Sequence, residues 1–370
     1  VTSPVWEDGD WDDLPTLDGD RSTDVCVVGL GGSGLAAVGR LQELGHAVIG
    51  IDAGSIGGGA AGRNGGFLLA GAADFHHDAV AAWGRDRAVA FYRRTLVELD
   101  RMTAETPTAI RRDGSLRVAE SAEEMADCRR QLATMKEDDL PAEWYEGKEG
   151  EGLLIPTDGV FQPLARCRAL ARTTQSRGAL LCERSPATSI QGDRVVTPHG
   201  TIHCGVVVVA IDGRLEQVIP ELRGRIRTAR LQMLATVPTA ELRTPFAVYS
   251  RYGYEYWQQL ADGSVALGGM RDRGGEGEWT DVAEPAEPVQ GLLEALLRDR
   301  LGVQAAISHR WAGVVGYSGD GLPVLEEVRP RVWVTGGYSG TGNVVGAICG
   351  RAAADLAVSG ASADREIFRS

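Results

Sequence analysis

The stretch from Asp24 to Phe67 limits what this chain can fold into more than any other. Val25–Val28 are apolar, mostly β-branched and bounded by glycine, which reads as a buried parallel strand. Gly29-Leu30-Gly31-Gly32-Ser33-Gly34 then has the spacing G-x-G-x-x-G, a helical run follows from Gly34 to Leu44, and Gly45 closes it. Ala47–Ile51 is a second strand with Asp52 at its end, 23 residues after Gly29. Strand, glycine loop, helix, strand and acid in that order make the dinucleotide-binding βαβ fingerprint. Gly29 permits the tight turn, Gly31 lets a diphosphate approach the backbone, and Gly34 lets helix and strand close up. The helix start offers N–H groups and a partial positive charge to the phosphates, and Asp52 is placed to accept from ribose hydroxyls.

The fingerprint alone does not choose between NAD and FAD. The next segment, Gly57-Gly58-Gly59-Ala60-Ala61-Gly62-Arg63-Asn64-Gly65-Gly66, does. A second glycine-dense turn just past the ribose acid points to backbone lying against the far half of FAD, with Arg63-Asn64 available for specific hydrogen bonds. Here the chain resembles the FAD-dependent amine and amino-acid oxidase family, which includes D-amino-acid oxidase, glycine oxidase and sarcosine oxidase. The phrase Gly62-Arg63-Asn64-Gly65-Gly66 is most similar to the gamma-glutamylputrescine oxidase branch. Near the end, Gly336-Gly337-Tyr338-Ser339-Gly340-Thr341-Gly342-Asn343 resembles the family's G-[YF]-S-G-H-G, with Thr341 in place of the histidine.

The resemblance implies non-covalent FAD contacts at Gly29, Gly31, Gly32, Ser33, Gly34, Asp52 and Ala53 in the first motif. It implies further contacts at Ala60, Ala61, Arg63, Asn64, Gly65, Gly66 and Phe67 in the second. Ala187 stands where the family passes the adenine, and Gly337, Tyr338, Gly340, Thr341, Gly342 and Asn343 face the flavin pyrimidine, where their N–H groups would favour reduced flavin. Sarcosine oxidase links its flavin to a cysteine shortly before the segment matching Trp311–Pro323; here no cysteine lies between Cys204 and Cys349.

The expected fold is α/β: a Rossmann-type FAD-binding domain (21–90, 150–215 and 312–370) interleaved with an antiparallel-sheet α+β substrate domain (91–149 and 216–311). An acidic arm, 1–20, is expected to lie on the surface or to be partly disordered. Asp78–Thr103 reads as one amphipathic helix, Ala109–Val118 as a β-hairpin around Asp113-Gly114, and Ser121 with Glu124 as a capping box. Glu137–Glu151 reads as an exposed connection. Short strands are expected at Arg194–Thr197, Thr201–His203 and Val206–Ala210. Gly253–Leu260 reads as a strand whose period of two, continued back to Tyr252, would set Tyr252, Tyr254 and Tyr256 on one face.

A net charge of −13 disfavours nucleic acid as a partner, and no apolar run reaches the length of a membrane span. The acidic N-terminus does not read as a signal peptide, and six scattered cysteines without C-x-x-C spacing argue against disulfides and metal, so a cytoplasmic protein is expected.

The implied chemistry is oxidation of an amine C–N bond by hydride transfer to flavin N5, giving an imine. A small-molecule amine and an electron acceptor, oxygen or another, are the expected partners. The catalytic candidates are few. His76 and His77 open a helix near the glycine turns, and Tyr252, Tyr254, Tyr256 and Trp257 form either an aromatic wall for a cationic amine or a core stripe. Sarcosine oxidase's oxygen-activating lysine falls near Val265-Ala266, which leaves a flavin dehydrogenase with a different acceptor open. The carboxylate-gripping arginine of glycine oxidase falls at Val314 or Val315, which leaves open an amino-acid oxidase whose arginine is displaced to Arg63, Arg251 or Arg271. A non-enzymatic flavin-binding subunit is the remaining reading.

Overall fold

The computed structural model describes residues 3–7 and 11–368. Contacts divide these into two compact units. The first contains 11–63, 163–229 and 314–368; the second contains 3–7, 64–162 and 230–313. Segments 64–90 and 150–162, expected with the cofactor domain, belong to the second unit, and 216–229 belongs to the first. One cause is plain: Phe67–Leu68 pairs with Gly159–Phe161, which in turn pairs with Ile110–Arg111.

The first unit is built on a sheet whose parallel centre runs Leu180–Cys182, Val48–Ile51, Arg21–Val28, Gly200–Ala210, Val332–Gly336. Val25, Val27 and Val208 enter one hydrophobic cluster with residues of helices Gly32–Glu43, Pro163–Ser176 and Val345–Ser359. Cys26, Val28 and Val209 enter a separate cluster on the other side with Leu17, Leu215 and Ile226. Both faces are covered, which is why these strands read as unbroken β-branched runs. Gly200–Ala210 is one continuous strand rather than two, because its first half pairs with Arg194–Thr197 and its second with Val332–Gly336.

The N-terminal segment is not a surface arm. Residues 1–2 and 8–10 lie outside the described ones, but Trp6, Leu14 and Leu17 are buried. Glu183, fully buried, accepts from the Leu14 N–H (2.9 Å), the Ile56 N–H (2.6 Å) and the Trp11 indole N–H (3.1 Å). The acidic composition concealed four apolar anchors spaced along it.

The second unit carries an eight-stranded sheet in the order Ile307–Ser318, Ile226–Thr236, Val265–Gly269, Glu255–Gln259, Ala247–Ser250, Ser115–Val118, Gly150–Ile155, Glu143–Gly147. Leu116, Val248, Trp257 and Leu267 pack in one cluster with Val289 and Leu293 of helix Val289–Ala295. Their neighbours Arg117, Tyr249, Tyr256 and Gly268 stand opposite one another in register on the other face.

Several local expectations change. The helix expected over 78–103 is two helices, His76–Trp83 and Arg85–Glu105, broken where Gly84 takes φ 83°. Ile110–Arg111 and Ser115–Val118 belong to different sheets and form no hairpin. The exposed connection contains the hairpin Glu143–Gly147 with Gly150–Ile155. Ser121 does cap helix Ala122–Glu137, its hydroxyl accepting from the Glu124 N–H at 3.1 Å, while the Glu124 carboxylate accepts from Glu120 N–H. In the tyrosine run the strand begins only at Glu255. Tyr252 sits in a turn at φ 57°, Tyr254 follows that turn, and the shared face disappears.

Candidate functional site

In the first unit the two glycine motifs close on each other. Gly29 takes φ 97°, and a Cβ there would lie 2.5 Å from the Ala210 carbonyl oxygen. A Cβ on Gly34 would lie 1.8 Å from the Gly29 carbonyl oxygen, so that position excludes every side chain. A Cβ on Gly31 would come 3.1 Å from the Ala61 methyl, and the Gly57 N–H donates to the Leu30 carbonyl at 3.3 Å, so the second turn is folded directly onto the first. Asp52 accepts from the Leu30 N–H at 2.7 Å and the Gly54 N–H at 2.8 Å, which orients its carboxylate; burial pushes its pKa up against those bonds. The Arg63 Nε donates to the Gly58 carbonyl at 3.1 Å, and Ala53 is exposed. Ala187 packs, partly buried, beside the cluster containing Val28 and Ile51.

The third motif joins the first across the unit's core. Tyr338 is buried and its hydroxyl donates to the Ser33 hydroxyl at 2.7 Å. A Cβ on Gly350 would lie 2.0 Å from the Ser33 carbonyl oxygen, so the last helix abuts the start of the first. Asp212 accepts from the Tyr338 N–H at 3.0 Å; its burial raises its pKa to about 6. The side chains of Tyr338 and Ser33 thus hold the motifs together, leaving backbone at these positions to meet a ligand. Thr341 turns its hydroxyl onto the Tyr338 carbonyl at 2.7 Å, and Asn343 is partly buried just before helix Val345–Ser359.

These residues fit FAD. Neither helix Gly32–Glu43 nor helix Val345–Ser359 has a side-chain cap or an acid in its first turn, so the N–H ends of both remain suited to an electron-rich group. A Cβ on Gly32, Gly59, or Gly340 would meet no atom within 4 Å, which is room for a ligand beside the backbone. The sequence pattern of the family described as FAD dependent oxidoreductase matches residues 24–356. The chain belongs to that family. This FAD-dependent oxidoreductase is 27% identical to the gamma-glutamylputrescine oxidoreductase of Escherichia coli, over 92% of this chain and 85% of that protein. It is 25% identical to the probable oxidoreductase OrdL of Rhizobium meliloti, over 96% of this chain and 87% of that one. Its fold matches L-proline dehydrogenase from P. horikoshii (TM-score 0.77, 19% identity, 94% of this chain and 96% of that one). Glycine oxidase from Geobacillus kaustophilus matches as well (TM-score 0.76, 21% identity, 93% and 96%).

In the second unit the remainder of the glycine turn is held by the sheet. Asn64 accepts from the Gly66 N–H with its side chain (2.8 Å) and from the Trp6 indole N–H with its carbonyl (2.9 Å). Gln258 donates to the Gly65 carbonyl at 2.5 Å. Tyr256 packs edge-on to Phe67, with centroids 5.7 Å apart, and its ring crosses Gly268, where a Cβ would be 2.4 Å away.

The catalytic candidates are dispersed. His76 is buried, pairs with Asp138 at 2.8 Å and stacks edge-on to Tyr92, so it is a core histidine. His77 stacks on Phe75 and lies 3.4 Å from Asp78 and 3.7 Å from Asp127, the carboxylate that also accepts from the Tyr252 hydroxyl. Tyr254 is exposed, and Trp257 is a core residue on the opposite face from Tyr256. Of the four aromatics, Tyr256 alone packs on the glycine turn. Arg251 is neutralised by Glu255 and Asp272, and Arg271 lies over Trp279. Missed altogether were Glu183, Asp212, Asp158 and Arg117, each defined by partners far away in sequence.

Proposed function

We propose that the protein oxidises a C–N bond of an amine whose reacting carbon carries no carboxylate gripped by the family's usual arginine. The supporting observation is the uncapped helix start at Gly32, enclosed by two glycine turns and an oriented Asp52, in a chain of the FAD-dependent family. When bound, FAD would accept hydride from the carbon beside nitrogen, leaving an imine that water hydrolyses. The first glycine loop and helix start would hold the diphosphate, Asp52 the ribose, and the Ala187 segment the adenine. Backbone from Gly340 to Asn343 would stabilise negative charge near the pyrimidine. No strong base is required of the protein, whose task is to orient the amine and exclude water. The valines where the family's arginine falls support this substrate choice: neither Val314, buried within strand Ile307–Ser318, nor Val315, partly buried beside it, has a charge to offer.

One observation favours an acceptor other than oxygen. Val265 and Ala266, near which sarcosine oxidase's oxygen-activating lysine falls, are both fully buried and neither is basic. The test is an anaerobic comparison of flavin bleaching by glycine, sarcosine and D-alanine with bleaching by polyamines, acylated polyamines and bulky N-methyl amines. The larger amines are expected to reduce the flavin faster, and mixing the reduced protein with oxygen then reports the acceptor. Faster reduction by the small amino acids, or none by any amine, contradicts the reading.

A further inference from the structure

Within the first unit, the backbone between strand Val332–Gly336 and helix Val345–Ser359 passes through three residues of positive φ: Gly337 (67°), Ser339 (51°) and Gly340 (94°). Serine seldom adopts such an angle, and it persists only where its surroundings fix it. Here the Ser339 N–H donates to the Gly316 carbonyl at 3.0 Å, and the Ser339 hydroxyl lies 3.2 Å from that of Ser318. The Tyr338 hydroxyl reaches Ser33, and the Tyr338 N–H donates to Oδ1 of Asp212 at 3.0 Å.

From Tyr338 a chain of hydrogen bonds leads into the helix. The Tyr338 carbonyl accepts from the Thr341 N–H at 2.9 Å, and the Thr341 carbonyl accepts from the N–H of Val345, the first helical residue, at 3.2 Å. With the Thr341 N–H engaged, Gly340 and Gly342 flank it with N–H groups that, among the described residues, donate to no protein atom. Gly342 rests on the Tyr338 ring, where a Cβ would be 3.1 Å away. The aim of these two N–H groups is therefore set through Tyr338, and Asp212 holds the Tyr338 backbone. Asp212 is fixed in its turn. A Cβ on Gly316 would lie 2.7 Å from the Asp212 carbonyl oxygen, and one on Gly213 would lie 2.4 Å from that of Val314. Glu216, the acid whose charge acts on Asp212, accepts from the Thr228 hydroxyl at 2.9 Å.

We propose that Asp212 is a positioning residue for the flavin: by holding the Tyr338 N–H it keeps the Gly340 and Gly342 N–H groups where they favour reduced over oxidised flavin. The assignment rests on the reading above, in which this turn meets the pyrimidine. Donors fixed in advance stabilise developing negative charge without reorganising. The carboxylate's own charge acts the other way, since like charges repel. Uncharged substitutes separate the two effects. Asparagine keeps an oxygen for the Tyr338 N–H, alanine removes it, and the serine hydroxyl stops one bond short of it.

The test measures the flavin midpoint potential and the Kd for oxidised FAD in the wild-type holoprotein and in Asp212→Asn, Asp212→Ala and Asp212→Ser. At pH 8 the wild-type carboxyl, whose pKa burial raises to about 6, is ionised. Asp212→Asn is expected at or above the wild-type potential, because it loses a charge and keeps the acceptor. Asp212→Ala and Asp212→Ser are expected about 30 mV below Asp212→Asn, a tenfold weaker preference for reduced flavin, with oxidised FAD held as well as in Asp212→Asn. Either shortened variant alone suffices. Equal potentials in the three uncharged variants, equal weakening of both redox states, or two shortened variants that fail to fold or to hold FAD overturn the assignment. Wild-type protein that holds no FAD refutes the site and the assignment together. The expected shifts in a protein whose flavin no amine reduces would sustain Asp212 and refute the amine-oxidising reading instead.

Discussion

Replacing Gly34 by alanine should yield a chain that retains no FAD. The new methyl would lie 1.8 Å from the Gly29 carbonyl oxygen, a backbone atom that cannot rotate aside. Gly29 is itself pinned, its N–H donating to the Ile51 carbonyl at 2.8 Å. The loop must therefore open, moving the first-turn N–H groups away from the diphosphate and losing several kcal/mol of packing. Gly39→Ala is the control, because its methyl, in the interior of the same helix, would come no closer than 3.9 Å to another residue, the Thr174 side chain. Flavin absorbance per chain and the thermal midpoint distinguish them. Gly39→Ala should keep the wild-type fold and colour, whereas Gly34→Ala should be colourless and unfold at lower temperature. A yellow Gly34→Ala protein with an unchanged midpoint would show that the turn is not built as described.

The second large effect is expected from pH acting on Asp158. This carboxyl is buried in the second unit, accepting from the Ala70 N–H at 2.9 Å and the Ser115 hydroxyl at 2.7 Å. Burial raises its pKa to about 7, against the opposing pull of those bonds and of Arg112 and Arg117. The folded protein therefore holds a proton there that the unfolded chain releases near pH 4. Its stabilising contribution is complete below pH 4 and is lost as pH rises to about 7, by an amount of up to about 4 kcal/mol. Urea unfolding at pH 5 and pH 8 should show the wild type weaker at pH 8. Asp158→Asn, which keeps an acceptor for Ala70 and carries no charge, should shrink that difference. An unchanged difference would mean that Asp158 is already ionised at pH 5.

The βαβ unit was legible because each of its residues answers a local demand. Gly29 needs a positive φ, Gly34 needs the absence of a Cβ, and Val25–Val28 need two covered faces. The family resemblance followed from two such glycine turns in succession. What escaped was decided at long range. The alternation of tyrosines from 252 to 256 suggested a strand, but the Tyr252 N–H donates to Glu124 and the backbone turns there instead. The acidic N-terminal stretch looked solvated because nothing in it announces Glu183, more than 160 residues away, as the acceptor of its Trp11 and Leu14 N–H groups. Arg117 fell inside the expected hairpin Ala109–Val118 and carried no signal of its own. Only the pairing of its strand with Ala247–Ser250, and the seating of Phe75 over it, show that its guanidinium is buried between aromatic rings.

The most direct test of the FAD site is to precipitate the purified protein with acid and identify what colours the supernatant, for the wild type and for Asp52→Ala. One FAD per chain, released into the supernatant, is the expected result for the wild type. Asp52→Ala should hold FAD more weakly by about 1–3 kcal/mol, because a ribose hydroxyl loses its acceptor and the Leu30 and Gly54 N–H groups lose theirs. FMN in the supernatant, colour retained in the pellet, or equal FAD affinity in the two proteins would contradict the site.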